Sequence, residues 1–260
     1  MMPIIQNYQD YLTEIKNLFA DYYIRYQNGN EIFAEIIKRG YAVPINVNID
    51  NIKVLICGIN PSYPDKKDRY EEIKYPAFKQ SITDKHPYWS NMRNNIITGI
   101  PINCVESIDL FSLRESNQNF LKNKCFNNPD LLRFLIVNLW LTQQLIEIIS
   151  PKLIIVANKG QWGYWGVLDN IYWMGYKFKK EPVKVYSEKM QLLEIEGLKD
   201  TIYENGLFKN GPIGKIESNF ETRLSGTKVL FTLFQTGRHK CQESERIKPG
   251  MISDILTNYC

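Results

Sequence analysis

The sequence predicts an α/β fold: a three-layer α/β/α sandwich around a central, mostly parallel sheet of four strands. Short apolar segments bounded by turn residues recur along the 260-residue chain, and helical segments lie between them. One of these helical segments is apolar on most faces. Short apolar runs are typical of strands that are buried on both faces. When such strands alternate with helices, the pattern indicates a parallel sheet that is covered by helices.

The first 40 residues predict helix. Apolar side chains recur there every three to four positions from Ile5 to Tyr22, which places them on one helix face. The four predicted strands follow at residues 53–59, 104–111, 152–157 and 228–234. The second is a weaker match than the other three, which are clear apolar runs.

A long helix is predicted between the second and third strands. Asn128 is a favourable N-cap and Pro129 suits the first helical position, so the helix begins there and ends before Pro151. Residues 167–220 fit the pattern less well and predict an elaborated insertion, in which the alternation over 183–196 indicates a hairpin or a subdomain. No repeat or low-complexity linker divides the chain, so residues 1–260 are predicted to form one domain.

Composition restricts the class of protein. With 44% hydrophobic residues, 23% charged residues and a net charge of +4, the chain matches a soluble globular protein. No apolar run reaches the roughly 18–20 residues of a membrane span, and the N-terminus lacks the pattern of a signal peptide. The five cysteines have no CxxC spacing and there are two histidines, so no metal, metal cluster or other cofactor is expected. These features predict a cytoplasmic protein with reduced thiols.

Aromatic residues make up 13% of the chain, with 16 Tyr, 12 Phe and 5 Trp. They fill hydrophobic cores, and Tyr and Trp also stack against bases and sugars. Several crowd the segment after the first strand, and Trp162, Tyr164 and Trp165 follow the third. Two interpretations stay open, a bulky core or rings that line a base pocket.

Polar residues follow all four predicted strands. In an open α/β sheet, ligands bind outside the carboxyl ends of the strands, so these residues are the candidates for a site. They are Gly58, Asn60 and Ser62, then Asp109, Ser112 and Arg114, then Asn158, Lys159 and Gly160, and finally Thr236, Gly237, Arg238 and His239. The alternative is that each is a cap or a turn residue.

The segment GINPS after the first strand resembles the GINPG motif of the mismatch-specific branch of the uracil-DNA glycosylase superfamily. The order of the remaining segments is similar to that superfamily's layout: a strand ending in DLF, a long helix, PKLIIVAN, and a last strand followed by a histidine. HPYWSNMRN and IDLFSLRE also resemble segments of bacterial uracil-DNA-glycosylase-like proteins. The resemblance spans about residues 50–245.

The resemblance implies a chemistry, because these enzymes flip a damaged base from DNA and hydrolyse its N-glycosidic bond. It implies that Asn60 orients the attacking water and that His239 stabilises negative charge on the departing base. Residues implied to surround the base are Gly58, Ile59, Ser62, Tyr63, Phe78 and Asp109, and those implied to contact DNA are Arg238, Lys240 and Asn158. The superfamily's His-Pro-Ser motif is missing, because residues 236–240 read TGRHK.

Two of these positions leave alternatives open. An ionised Asp109 offers only acceptors, so it favours a base that presents donors or it acts on water. It is equally compatible with a turn cap or with a pair to Arg114. The stacking ring is one of four aromatic residues in the long loop, with Phe78 and Tyr63 preferred over Tyr88 and Trp89.

The sequence therefore predicts a monomeric hydrolase that removes uracil or another deaminated base from single-stranded or mismatched DNA without a cofactor. Two alternatives are a catalytically weak or inactive module that binds nucleic acid or a modified base, and a hydrolase of free nucleosides or nucleotides on the same fold.

Overall fold

The computed structural model describes residues 3–29, 32–45, 47, 49–63, 70–76, 78, 90, 92–116, 128–167, 174–198, 221–233 and 242–260. The helices are α1 (Tyr8–Tyr26), α2 (Ile32–Lys38), α3 (Pro129–Ile149) and α4 (Met251–Asn258). The strands are β1 (Tyr41–Ile45), β2 (Val54–Gly58), β3 (Glu72–Pro76), β4 (Val105–Asp109), β5 (Leu153–Val156), β6 (Tyr176–Phe178), β7 (Lys184–Ser187), β8 (Met190–Leu198) and β9 (Lys228–Phe231). A π-helical turn lies at Met92–Ile96, and 3₁₀ turns lie at Ile102–Cys104, Lys159–Gln161 and Glu243–Glu245.

The main sheet is mixed but mostly parallel, which confirms the predicted α/β class. Its strand order is β4-β2-β5-β9-β8-β6, and β7 pairs with β8. The first four strands in this order pair in parallel, and they are the four strands that the apolar runs predict. β2 and β5 are buried along most or all of their length, which explains why they appear as continuous apolar runs in the sequence.

The predicted number of four strands is wrong, because the main sheet contains seven. β7 and β8 form an antiparallel hairpin where the alternating pattern indicates one. The hairpin does not stand apart as a subdomain: β8 also pairs antiparallel with β9 and so extends the sheet. β8 thereby satisfies the backbone groups along an edge of β9 that would otherwise be open. The rest of the predicted insertion, including residues 199–220, lies outside the described residues.

A second, two-stranded sheet was not predicted. β1 and β3 pair in parallel, and Tyr41 in β1 forms an isolated bridge with Leu113 beyond the end of β4. Proline occurs in both strands, as Pro44 and Pro76, and proline within an apolar run lowers the expectation of a strand. This small sheet brings β3 next to the residues that follow β4.

Local signals explain the ends of the helices. Asn128 accepts hydrogen bonds from the backbone N–H groups of Asp130 and Leu131, so the predicted N-cap of α3 is confirmed. α3 ends at Ser150, which adopts a left-handed conformation with φ of 47°. The N-terminal segment predicted to be helical contains α1 and α2, and α1 begins at the side-chain cap of Asn7.

The core lies on both faces of the sheet. Leu55 and Cys57 of β2 belong to a cluster that includes residues of α1 and α3, whereas Val54 and Ile56 belong to a cluster with the π-helical turn and α4. Alternate residues of a strand point to opposite faces, so β2 separates these clusters. Among the described residues, α3 is the one helix long and apolar enough to cross a membrane, and 83% of its apolar window is buried within the fold.

A buried carboxylate links α3 to the outer part of the sheet. Glu147 is 4% exposed and accepts hydrogen bonds from the Tyr176 hydroxyl in β6 at 2.8 Å and from the Thr222 hydroxyl at 2.7 Å. The backbone N–H of Arg223 donates to the same carboxylate at 2.7 Å. One buried carboxyl group thus accepts hydrogen bonds from a buried hydroxyl and from two partly buried donors.

We expect Glu147→Ala to lower the free energy of unfolding by about 2–3 kcal/mol, because it leaves the buried Tyr176 hydroxyl and two partly buried donors without this acceptor. Urea unfolding followed by circular dichroism measures this change. The matched control is Glu221→Ala, which removes an exposed carboxylate nearby and should change the stability by less than about 0.5 kcal/mol. Equal effects of the two variants would contradict the assigned role of Glu147.

Candidate functional site

The carboxyl ends of β4, β2, β5 and β9 meet at one edge of the sheet because these strands are parallel neighbours. The last residues of β2 and β4 are aligned, so that Gly58 lies beside Asp109. Beyond this pair, the loop after β2 runs alongside the loop after β4. The backbone N–H groups of Leu110 and Phe111 donate to the carbonyls of Gly58 and Ile59 at 2.9 and 2.8 Å.

The Asp109 carboxylate occupies the space above Gly58. A Cβ atom on Gly58 would lie 1.9 Å from Oδ1 of Asp109, which is far inside van der Waals contact. Glycine at this position therefore lets the carboxylate lie across the end of β2. Any larger residue would push the carboxylate away, so the two positions act together.

Burial raises the pKa of the Asp109 carboxyl to about 7, and a hydrogen bond from Tyr75 opposes this shift only in part. The Tyr75 hydroxyl in β3 donates to Oδ2 of Asp109 over a long distance of 3.4 Å. Burial also raises the pKa of Tyr75 well above its usual value, so its phenol stays protonated and remains a donor. At neutral pH the Asp109 carboxyl is therefore poised between its two protonation states, as a general acid or base requires.

Asn60 connects the two loops of the site. Its side-chain nitrogen donates to the Pro61 carbonyl at 2.9 Å and to the Glu115 carbonyl at 2.7 Å. These two bonds use both amide hydrogens and fix the plane of the amide. The structure thus gives Asn60 a bracing role at the position where the resemblance implies a residue that orients water.

Tyr63 packs against two arginines. The guanidinium carbons of Arg39 and Arg114 lie 4.8 and 4.9 Å from the centre of its ring. Its backbone N–H also donates to the Ser116 hydroxyl at 2.9 Å. These contacts hold Tyr63 against the loop after β4, so a base that stacked on its ring would share the ring with guanidinium groups.

Arg114 does not pair with Asp109, which was one of the alternatives that the sequence left open. Its guanidinium forms an ion pair with Glu71 at 3.0 Å and donates to the Arg39 carbonyl at 3.0 Å. Arg39 in turn pairs with Glu115. Arg114 therefore does not lower the pKa of the Asp109 carboxyl through an ion pair, and burial keeps that pKa raised.

The loop after β5 contributes amide groups. Asn158, predicted to contact DNA, accepts a hydrogen bond from the Gly160 N–H at 2.8 Å and caps the 3₁₀ turn that follows β5. Gln161 is fully buried and donates to the Cys57 carbonyl at 2.8 Å. Its Oε1 atom is buried without a partner in the described structure. Gln161 was missed at the sequence level because it lies one residue beyond Asn158, Lys159 and Gly160, the candidates after the third predicted strand.

Phe78 is not available as a stacking ring. Its side chain has no exposed surface and packs in the cluster with Val54 and Ile56, while its backbone N–H donates to Glu106 at 2.9 Å. A ring that is enclosed in the core cannot stack on a base unless the core opens. Phe78 was misassigned because a sequence does not distinguish an aromatic loop residue that lines a pocket from one that packs in the core.

Two further residues implied to surround the base differ in exposure. Ile59 is buried, with 7% exposure, whereas Ser62 is exposed.

The aromatic residues after β5 belong to the core. Trp162, Tyr164 and Trp165 are 6%, 4% and 0% exposed and lie in the cluster that contains α1 and α3. For these three rings the bulky-core interpretation is correct, and they do not line a base pocket. Tyr75 is the aromatic residue that reaches the site, and β3 positions it there. At the sequence level Tyr75 is one of several aromatic residues that crowd the segment after the first strand, and it could not be singled out because β3 was not predicted.

Several predicted residues lie outside the described residues. They are the implied leaving-group histidine His239, the implied phosphate contacts Arg238 and Lys240, and the alternative stacking rings Tyr88 and Trp89. Within the described residues, no group of three His, Cys, Asp or Glu side chains is arranged to hold a metal ion. Cys57 is buried beneath the site, and burial raises the pKa of its thiol, so it stays protonated.

Fold and site together define an α/β protein with a partly buried carboxyl group at the carboxyl ends of parallel strands. Such an arrangement can accept a proton from water or return one to a leaving group near neutral pH. Comparison with protein-family models, with curated proteins and with solved structures gives no match.

We expect Asp109→Asn to stabilise the protein above pH 7 and to change its stability little near pH 4. The folded pKa of about 7 lies above the ordinary aspartate pKa of 3.8, so the wild-type protein loses stability as the pH rises between these values. The gap between variant and wild type should reach on the order of 2–4 kcal/mol at high pH. Urea unfolding at a series of pH values measures it, and a gap that does not vary with pH would contradict the raised pKa.

Proposed function

We propose that this protein hydrolyses the N-glycosidic bond of uracil or another deaminated base that is flipped out of DNA. The observation that carries the proposal is the Asp109 carboxyl, with a pKa of about 7, beside Gly58 at the carboxyl ends of β4 and β2. The resemblance of the GINPS segment to the uracil-DNA glycosylase superfamily supports the same reaction. The site lies at the edge where open α/β sheets bind ligands.

In this proposal, Asp109 is the general base. Its ionised form accepts a proton from water as the water oxygen forms a bond to the sugar C1′ atom. The bond between C1′ and the base nitrogen breaks, and its electron pair leaves with the base, which is later protonated. Asp109 then returns its proton to solvent. A base with a pKa near 7 combines a useful ionised fraction with sufficient basicity at neutral pH.

The surrounding residues position this carboxylate. Gly58 leaves room for it, and the protonated Tyr75 hydroxyl donates to Oδ2. Asn60 keeps the loop after β2 against the loop after β4 through the Glu115 carbonyl. In the proposed enzyme Asn60 is therefore a positioning residue. His239 remains the proposed group that stabilises charge on the leaving base, with Arg238 and Lys240 on DNA phosphates.

The proposal extends to the family, the location, the substrate and the architecture of the protein. The chain is proposed to be a monomeric member of the uracil-DNA glycosylase superfamily that acts in the cytoplasm, without a cofactor or metal, on single-stranded or mismatched DNA. Its architecture is proposed to be a three-layer α/β/α sandwich in which β4, β2, β5 and β9 are the strands common to the superfamily. The β7–β8 hairpin and β6 are then additions at one side.

We expect the purified protein to produce alkali-labile sites in at least one oligonucleotide that contains uracil, hypoxanthine or xanthine. Asp109→Asn should lower the single-turnover rate by about 100-fold or more, because it removes the general base. The wild-type rate should rise with pH and level off above about 7, as the carboxyl ionises.

Asp50→Asn is the control for this experiment, because it removes a different, exposed carboxylate and should leave the rate within about twofold. Asn60→Ala should give a smaller loss than Asp109→Asn, since it loosens a loop without removing the base. No cleavage of any of the three substrates, or full activity of Asp109→Asn, would exclude the proposed mechanism.

One observation favours a second candidate, a module that binds nucleic acid or a modified base without turnover. Both amide hydrogens of Asn60 are used to brace the loops, so this residue reads as a structural element. Salt-sensitive binding of a base-modified oligonucleotide without release of the base would establish this function. Competition by free nucleotides would distinguish the third alternative, a nucleoside or nucleotide hydrolase.

A further inference from the structure

A cleft of about 600 Å³ lies between the β7–β8 hairpin and α4, and we call it the hairpin cleft. Lys184 and Tyr186 of β7 form one wall, and residues of the segment 244–251 form the opposite wall. β7 lies four strand positions from β2 in the sheet, which corresponds to about 19 Å at the usual spacing of strands. The hairpin cleft is therefore separate from the Asp109 site.

The rim of the hairpin cleft is basic. Three cationic side chains line it, those of Lys184, Arg246 and Lys248, and Asp254 is the one carboxylate among its lining residues. Lys248 pairs with the exposed Glu243 at 3.6 Å. Across the part of the chain that the structure describes, Lys184 and Arg246 form no ion pair with a carboxylate. The cleft thus carries three cationic side chains against one lining carboxylate, and this excess of positive charge favours an anionic ligand.

Aromatic and apolar surfaces lie beside these charges. The Lys184 ammonium lies 5.0 Å from the centre of the Tyr186 ring and 5.6 Å from that of the Tyr259 ring, so both rings hold it at the rim. Met251 provides apolar surface in the same cleft, whereas Met190, which also lines it, is only 1% exposed. Thioether and aromatic groups are suitable contacts for a flat, polarizable ring.

We propose that the hairpin cleft binds a nucleotide, with Lys184 and Arg246 on the phosphate and with the base against Tyr186, Tyr259 and Met251. Two features of the cleft indicate this ligand. The cations favour an anion, and the adjoining rings and thioether favour a flat apolar group. A phosphate bonded to a nucleoside carries both, either as a free mononucleotide or within a single strand. The assignment stands on this cleft alone and does not depend on the proposed function.

Binding of a fluorescein-labelled single-stranded oligonucleotide of about ten nucleotides to the full chain, followed by fluorescence anisotropy, tests the proposal. We expect the double variant Lys184→Ala/Arg246→Ala to weaken binding about tenfold or more. The slope of log affinity against log salt should also become less steep by about 0.7, since the phosphate that both side chains contact is no longer neutralised. An oligonucleotide carrying 5-iodouracil should crosslink to Tyr186 or Tyr259 on irradiation.

The control is Lys16→Ala/Arg133→Ala, which removes the same charge from exposed positions on α1 and α3. It should bind within about twofold of wild type, because net charge alone has only a weak effect. Competition distinguishes the sources of the ligand. If a mononucleotide displaces the probe as well as an unlabelled strand does, the ligand is a free nucleotide; if the strand is far superior, the cleft binds single-stranded nucleic acid.

Three results would overturn the proposal. The first is that the wild-type protein does not bind the probe at low salt. The second is that the two double variants lose affinity equally, which would make the effect one of net charge. The third is that inorganic phosphate competes as well as a mononucleotide, because the two tyrosine rings and Met251 would then contribute nothing.

Discussion

Parallel pairing of β4, β2, β5 and β9 is the constraint on which the rest of the structure depends. Four short strands that are largely apolar can be buried together only if helices or loops cover both faces, and α3 and α1 supply most of one cover. The same pairing turns all four carboxyl ends to one edge, so the polar loops that follow must share that edge. The location of the candidate site is thus a consequence of burying the strands.

Much of this arrangement could be predicted from the sequence, and the exceptions have physical causes. Apolar runs identified the four parallel strands, and Asn128-Pro129 identified the start of α3. β3 escaped prediction because it has no apolar run and its alternation spans only four residues before Pro76. The number of strands in the sheet was also not predicted. The alternation over residues 183–196 indicates a hairpin, but it does not indicate that the hairpin pairs with β9.

The candidate site, like the fold, could be predicted only in part from the sequence. The strand-end rule selected Gly58, Asn60 and Asp109, and the structure brings all three to the edge between β2 and β4. Sequence spacing could not indicate that the Asn60 side chain donates to the Glu115 carbonyl, 55 residues away. Nor could it indicate that Arg114 forms an ion pair with Glu71 and not with Asp109. Such choices depend on where β1 and β3 pack, which is long-range information. Phe78 was misjudged for a related reason, since a loop residue can return to the core and become fully enclosed.

The close approach of Asp109 to Gly58 has a consequence for the folding of the sheet. A shift of the β2–β4 register by one residue would place this carboxylate beside a residue that has a Cβ, and its surroundings would change at once. The ionisation of Asp109 therefore reports the alignment of two neighbouring strands. A nuclear magnetic resonance probe on this single carboxyl would distinguish the correctly aligned sheet from misaligned forms with the same secondary-structure content.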